Sequence, residues 1–576
     1  MAPQFAVTRA GLLAATLAGL AAAIGTFCYP VDAPVGGELP NTLSVSVRAP
    51  RGGKVTADYD FGAGQNGSLR SSAELGRNDQ FTRVTLPLPA GTIVSLQLGL
   101  PDGLPRASAR NAQVLDSRGG LLRQFPDSDL RPDGALVMRT SLNLPTDPRR
   151  PGSAVGRERA VSVLLAAAEL ALLVAVWRRP QGAPRSAWLD RAAIGLAAAA
   201  ILFSRRPSVF VAPQFWCEDG TIYFLGRSAG LHGLWAAQGN YIAFVPRTVA
   251  ALAGLAPALY APVIYAAAAV AVCLAAALKA ASPRVGLPFP VLAGLAVVLV
   301  PNMDEITANL TNEQWFGAVI LVLVCLSRPP ADFPQAAGDT VALVLFGLTG
   351  PFVIFALPLL AWRAVRTRSA GAALLAALGA ALSLLQYLEY RASQPAPLPA
   401  GLPHLVPFLG AAGYRTGGQL FGLMRSPLVA DPVPLGIAGL ALYASMWLLF
   451  PLRAGLGEIR PMLAWTALAI MVGGFLRYLG QANLFFEPVF VVRYFYVPLL
   501  FGAWLMLGGL AVPGPRRWLA LLGLSAAIAC NISSYRMAPY TDLDWPRYAS
   551  AIERGEAVRV PINPPAWSFD SPGRRD

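Results

Sequence analysis

Apolar and polar positions alternate along this chain on two length scales. An apolar run at residues 10–27 follows Arg9, and comparable runs recur almost without pause from residue 156 onward. They fall at 161–176, 192–203, 258–278, 289–300, 316–326, 341–348, 352–362, 370–388, 434–452, 463–476, 497–510 and 519–531. A helical membrane crossing needs ~20 apolar residues, so the pattern predicts a polytopic α-helical membrane protein of about 13 passes, several with cores shorter than a full span. Between residues 35 and 155 the period changes to two. Segments 43–48, 55–59, 82–88 and 93–98 alternate apolar and polar side chains between turn residues, which predicts the strands of a small β-sandwich. The chain therefore divides into a first transmembrane helix (1–34), a β-sandwich-like domain (35–155), a transmembrane core with loops (156–532) and a C-terminal tail (533–576). Residues 1–28 also fit a cleaved signal peptide, and either reading sends the β domain outside.

Basic residues give the runs a direction. Arg178, Arg179, Arg185 and Arg191 form one cluster, Lys279 and Arg284 a second, and Arg363, Arg366 and Arg368 a third, with Arg328 between. The positive-inside rule puts these on the cytoplasmic side. The β domain, the segment around 204–224, the segment 301–315, a long loop at 389–432 and the tail then lie on the other face. Residues 221–256 read as short interfacial helices, because Arg227, His232, Asn240 and Arg247 interrupt their apolar pattern. Two glycines and a proline at 347–351 split one run into a broken helix pair, tolerable where protein covers it or where it lines a cavity.

Composition adds little to the fold and narrows the partners. Of 576 residues, 55% are hydrophobic and 14% charged, with a formal net charge of +14. Lys54 and Lys279 are the only lysines, and no arginine-rich run is interleaved with aromatics. The positive charge therefore suits anionic lipid or phosphate and not nucleic acid. The cysteines at 28, 217, 273, 325 and 530 make no CxxC pair, and the histidines are two, so neither a disulfide framework nor a zinc site is expected.

Three polar islands carry the candidate chemistry. Glu218 and Asp219 stand side by side within Phe215-Trp216-Cys217-Glu218-Asp219-Gly220-Thr221-Ile222-Tyr223-Phe224, and the others are residues 302–315 and 477–496. Ionisable groups held at a membrane edge are costly and mark function by default. Each also has a plain reading: Glu218 and Asp219 as helix caps, Asp304, Glu305 and Glu313 as solvated loop charge, and Asn312, Gln314, Trp315, Tyr494 and Tyr496 as an interface belt. Arg205, Arg206, Arg477 and Arg493 follow or begin runs on the outer side, against the positive-inside rule. An external phosphate would account for them, and so would snorkelling to lipid head groups.

At Glu218-Asp219-Gly220 the chain resembles bacterial members of the type C membrane glycosyltransferase superfamily (the GT-C fold). Supporting segments are Asn240-Tyr241-Ile242-Ala243-Phe244-Val245-Pro246-Arg247, Thr311-Asn312-Glu313-Gln314-Trp315 and Arg493-Tyr494-Phe495-Tyr496-Val497-Pro498. The tail segments Asp544-Trp545-Pro546-Arg547-Tyr548 and Pro561-Ile562-Asn563-Pro564 add to the likeness, which covers most of residues 186–570 and not the β domain. The resemblance implies transfer of a hexose or pentose, with inversion, from a polyprenyl-phosphate carrier to a glycan or protein acceptor. It implies a bacterial inner-membrane enzyme with its active site on the periplasmic face. An acidic residue of the first external loop serves as base in that superfamily, and only Glu218 and Asp219 match it. The pair is adjacent here, whereas the superfamily often separates its two acidic residues by one position, so either can be the base. Arg247, Arg493 and Arg206 would bind the donor phosphate, and Asn312, Gln314, Trp315, Tyr494 and Tyr496 would line the donor or acceptor pocket. Two adjacent carboxylates can hold a divalent cation, though the sequence does not require one. The competing readings are a transporter or flippase of lipid-linked sugars and a non-catalytic envelope polysaccharide assembly protein.

Overall fold

The computed structural model describes the chain except residues 1–6, 31–40, 61–69, 89–90, 94, 101–108, 117–119, 128–134, 137–141, 145–153, 180–185, 239, 302, 394–404, 424–431, 479–484, 487–490, 565–566 and 574–576. Of the two histidines, His232 is described and His404 lies outside the described residues.

The period-two region folds as its alternation demands. Strands Asn41–Ala49, Asn78–Leu88, Ala109–Leu115 and Leu121–Phe125 form one antiparallel sheet, and Gly53–Asp60, Arg70–Leu75, Ser95–Gly99 and Ala135–Leu136 form a second. Val45 pairs with Val84, and Leu43 with Leu86, so every second side chain of the first sheet faces inward. There Leu43, Val45, Val47, Leu86 and Val114 meet Val55, Ala57, Leu96 and Leu98 of the second sheet in one buried core. Each Val or Leu so buried contributes about 1.5–3 kcal/mol.

Among the described residues, eight helices are long and apolar enough to cross a membrane: Arg9–Cys28, Val155–Arg178, Ala187–Arg205, Ala258–Ala280, Ala370–Ala392, Pro432–Leu449, Val492–Leu510 and Pro515–Ser534. The chain is thus a polytopic membrane protein. Two of the short apolar runs are short helices, Pro290–Leu299 and Gln314–Leu326. Both are largely enclosed by protein, so their length is set by packing and not by lipid thickness. Tyr496 and Trp504 lock the first of them, donating to the carbonyls of Val297 at 2.8 Å and Ala293 at 3.0 Å. The irregular backbone between the two helices is buried, and side chains satisfy it. Thr307 Oγ1 donates to the Met303 carbonyl at 2.6 Å, while Asn309 and Asn312 donate to the Glu305 carbonyl at 2.8 and 2.9 Å. Non-helical backbone at membrane depth persists only with such partners.

The expected broken pair consists of helices Phe333–Gly347 and Phe352–Thr367. Protein covers the break: Gly350 N donates to the Ile242 carbonyl at 2.9 Å and Phe244 N to the Leu348 carbonyl at 3.0 Å. Gln386 closes it, accepting from Ile242 N at 3.0 Å and donating to the Gly347 carbonyl at 3.1 Å. The stretch expected to be a long loop at 389–432 differs from that reading. It carries a helix, Leu405–Gly413, and a π-helical turn, Tyr414–Gly418. Glycines let these pack on Pro432–Leu449 at backbone contact, a device that polarity patterns do not reveal. The tail folds back over the core as helix Trp545–Glu553 and hairpin Val558–Ile562 with Trp567–Ser571.

Candidate functional site

The organising stretch is fixed from both sides by its aromatic residues. Phe215 and Phe224 pack on Trp545 and Phe569 of the tail, and Phe215 also on Tyr265, in one buried cluster. A short backbone ladder joins the tail to it: Cys217 N donates to the Asn563 carbonyl at 2.6 Å and Asn563 N to the Phe215 carbonyl at 2.9 Å. Cys217 adopts a positive φ of 40°, and the chain then enters a π-helical turn at Asp219–Phe224. Left-handed backbone and π-turns are strained and tend to mark functional positions. Gly220 is required there, because a Cβ would stand 2.8 Å from the Phe569 ring.

The two carboxylates part company at this turn. Asp219 is 1% exposed and accepts three hydrogen bonds: from Thr311 N and Thr311 Oγ1, each at 2.7 Å, and from Leu310 N at 3.3 Å. Burial pushes its carboxyl up to about 7, against the pull of those donors. It therefore ties the first polar island to the second and does not cap its own helix. Glu218 is half-buried and makes no hydrogen bond or ion pair with any described residue. Its charge still bears on three phenols. Burial raises Tyr223, Tyr241 and Tyr478, and Glu218 adds to the effect on each.

The third island arrives through Arg493. Its guanidinium forms an ion pair with Glu305 and donates to Tyr478 Oη at 3.0 Å, and its backbone N donates to Glu305 Oε2 at 3.1 Å. It lies 5.3 Å from the centre of the Tyr494 ring. Gln314 donates to Tyr241 Oη at 3.1 Å. Trp315 meets the Tyr494 ring edge-on at 5.1 Å and Phe352 at 4.8 Å. Glu218, Tyr241, Tyr478, Tyr494, Gln314, Trp315 and Arg493 thus converge at one end of the helix bundle. Arg247 stands beside them, 5.7 Å from the centre of the Tyr223 ring, with its Nε buried and without an acceptor.

Other expected residues have different work. Arg206 is 3% exposed, donates to the Asp304 carbonyl at 2.7 Å and lies 4.7 Å from the centre of the Tyr540 ring. Arg205 donates to the carbonyls of Val298 at 2.6 Å and Val300 at 3.1 Å. Arg205 therefore serves the end of helix Pro290–Leu299, and Arg206 serves the loop after it through the carbonyl and the carboxylate of Asp304, the latter at 3.6 Å, while its buried Nε has no partner among the described residues. Asn312 braces the loop by donating to Glu305 and Asn309. Tyr496, two positions after Tyr494, belongs to the core and is bonded to Val297, whereas Tyr494 meets Trp315 and Tyr478.

Two acidic residues emerge that polarity alone presents as loop charge. Glu305 holds Arg493. Glu313 is fully buried with neither carboxylate oxygen partnered, and burial pushes it up to about 8. Neither is distinguishable in sequence from solvated charge, because the partner or its absence is set by chain folding. Among the described residues, no group of three or more His, Cys, Asp or Glu side chains is placed to hold a metal ion.

The fold and this membrane-edge cluster define a polytopic membrane protein with a polar site at one end of its helices and a small β domain. No protein-family model, no curated protein and no solved structure matches the chain.

Proposed function

We propose that the protein is a membrane glycosyltransferase that moves a sugar from a polyprenyl phosphate to a hydroxyl acceptor, with Glu218 as the general base. The observation that carries this reading is the division between the two carboxylates. Asp219 is buried and saturated with donors, whereas its neighbour Glu218 is half-buried, makes no hydrogen bond or ion pair with any described residue, and its charge acts on Tyr223, Tyr241 and Tyr478. A free carboxylate on a rigid turn at the membrane edge suits removal of a proton from an acceptor hydroxyl, worth about 10²–10⁴-fold in rate.

In the step itself the acceptor oxygen attacks the anomeric carbon as its proton passes to Glu218. The bond from that carbon to the phosphate oxygen breaks, and the polyprenyl phosphate leaves with the electron pair. Single displacement inverts the anomeric centre. In this reading Arg493 and Arg247 would meet the charge growing on the leaving phosphate, as preorganised donors do in partly dehydrated sites. Arg493 is held in place by Glu305 and Tyr478, and Asp219 positions the turn that carries Glu218.

Turnover and donor binding measured separately on the purified protein with a polyprenyl-phosphate sugar test this assignment. Glu218→Gln should lower turnover by about 10² or more with donor affinity little changed. Asp219→Asn should act chiefly on stability. Full turnover in Glu218→Gln would remove Glu218 from the chemistry.

A further inference from the structure

At the opposite end of the bundle one buried carboxylate, Asp339, is met by three cations. Helix Gln314–Leu326 starts at the candidate site and runs 13 residues, or about 20 Å, to that end. There Asp339, 1% exposed, receives Lys279 Nζ at 2.9 Å, Arg284 Nη2 at 2.7 Å and Arg363 Nη2 at 3.4 Å. These come from helix Ala261–Ala280, the turn after it, and helix Phe352–Thr367, so folding brings three cations onto one anion. Arg363 is buried, and its Nε and Nη1 have no acceptor among the described residues; the buried Nε of Arg284 likewise has none among them. Lys279 and Arg284 remain 21% and 19% exposed, which leaves the cluster an opening to the surface. Arg328 and Arg366 stand alongside, donating to the carbonyls of Gly455 and Leu456 in the turn of hairpin Arg453–Ala454 and Gly457–Glu458.

Folding does not spend three cations on one carboxylate for neutralisation alone, since one or two would suffice, and buried guanidinium N–H groups left without acceptors are costly. We propose that this end binds a phosphate group between Lys279, Arg284 and Arg363. A tetrahedral phosphate supplies several acceptor oxygens and two units of opposite charge at most, and guanidinium groups match it bidentately. The same chemistry is offered by a free phosphate and by the head group of an anionic lipid.

Thermal unfolding of the full chain separates these sources. The probes are inorganic phosphate against chloride at equal ionic strength, and bicelles of phosphatidylglycerol against phosphatidylcholine. Stabilisation by both phosphate and phosphatidylglycerol identifies the free anion as sufficient, and stabilisation by phosphatidylglycerol alone identifies the head group. The response should be lost in Lys279→Gln and Arg284→Gln, each of which leaves two cations on Asp339. It should persist in Arg460→Gln, a control from the same end that is paired with Glu458. Asp339→Asn removes the competing carboxylate and should tighten phosphate binding by about tenfold. No response to either probe, a response unchanged in both cation variants, or unaltered affinity in Asp339→Asn would each overturn the proposal.

Discussion

At the residue scale, the site turns on how one dipeptide divides its labour. Adjacent carboxylates are visible in the sequence, and so is their position at a membrane edge. Their separate roles are not, because Asp219 takes its donors from Leu310 and Thr311, far along the chain. The same holds for Arg493, whose partner Glu305 reads as ordinary loop charge. The burial of Asp219 has a consequence for stability. An ordinary Asp carboxyl titrates near 3.8, and that of Asp219 is raised to about 7. The unfolded chain therefore releases this proton first. Stability from the group is fully present below about pH 4, falls between about 4 and 7, and is level above that. Asp219→Asn cannot titrate and also turns an amide N–H₂ toward one of the former donors, at a cost of about 1–3 kcal/mol. Unfolding in detergent at pH 5 and pH 8 should show the wild type losing stability across the interval and the variant losing less. Parallel losses in both proteins would show that Asp219 is ionised throughout.

At the scale of elements, apolar runs marked the helices well where lipid surrounds them and poorly where protein does. Runs 289–300 and 316–326 read as spans, yet they form 10- and 13-residue helices enclosed by neighbours. Hydropathy reports apolar surroundings and does not distinguish acyl chains from side chains. The alternation of the β domain was legible because a two-sheet core imposes it directly. The packing of Leu405–Gly413 on Pro432–Leu449 was not, since it depends on glycines whose spacing matters only once two helices meet. A Cβ on Gly436 would stand 2.8 Å from Gly410 Cα and closer still to its carbonyl, so the backbones would have to separate. Small residues are what permit such approach between helices in a membrane. Gly436→Ala should destabilise the protein by about 1–3 kcal/mol, read as a lower midpoint of thermal unfolding in detergent. An unchanged midpoint would mean that this helix pair is not closely packed.

At the scale of the whole molecule, two clusters of charged side chains stand at opposite ends of the bundle. The site with Glu218 lies at one, and the cluster of Lys279, Arg284 and Arg363 at the other. The sequence showed this sorting through its arginines, although Arg205 and Arg206 proved to serve backbone carbonyls. With Cys28 and Cys530 replaced by serine, Ser550→Cys should react with a membrane-impermeant thiol reagent in intact spheroplasts. Ala331→Cys, at the opposite end, should stay protected until the membrane is opened. The reverse pattern would place the Glu218 end in the cytoplasm and away from the expected acceptor. Mass spectrometry of lipid extracts is the most direct test of sugar transfer from a polyprenyl phosphate. It compares a deletion strain with the same strain expressing the wild type or Glu218→Gln. A polyprenyl-phosphate sugar should accumulate in the deletion strain, persist with Glu218→Gln and disappear with the wild type. Identical lipid profiles in all three strains would contradict the proposed reaction.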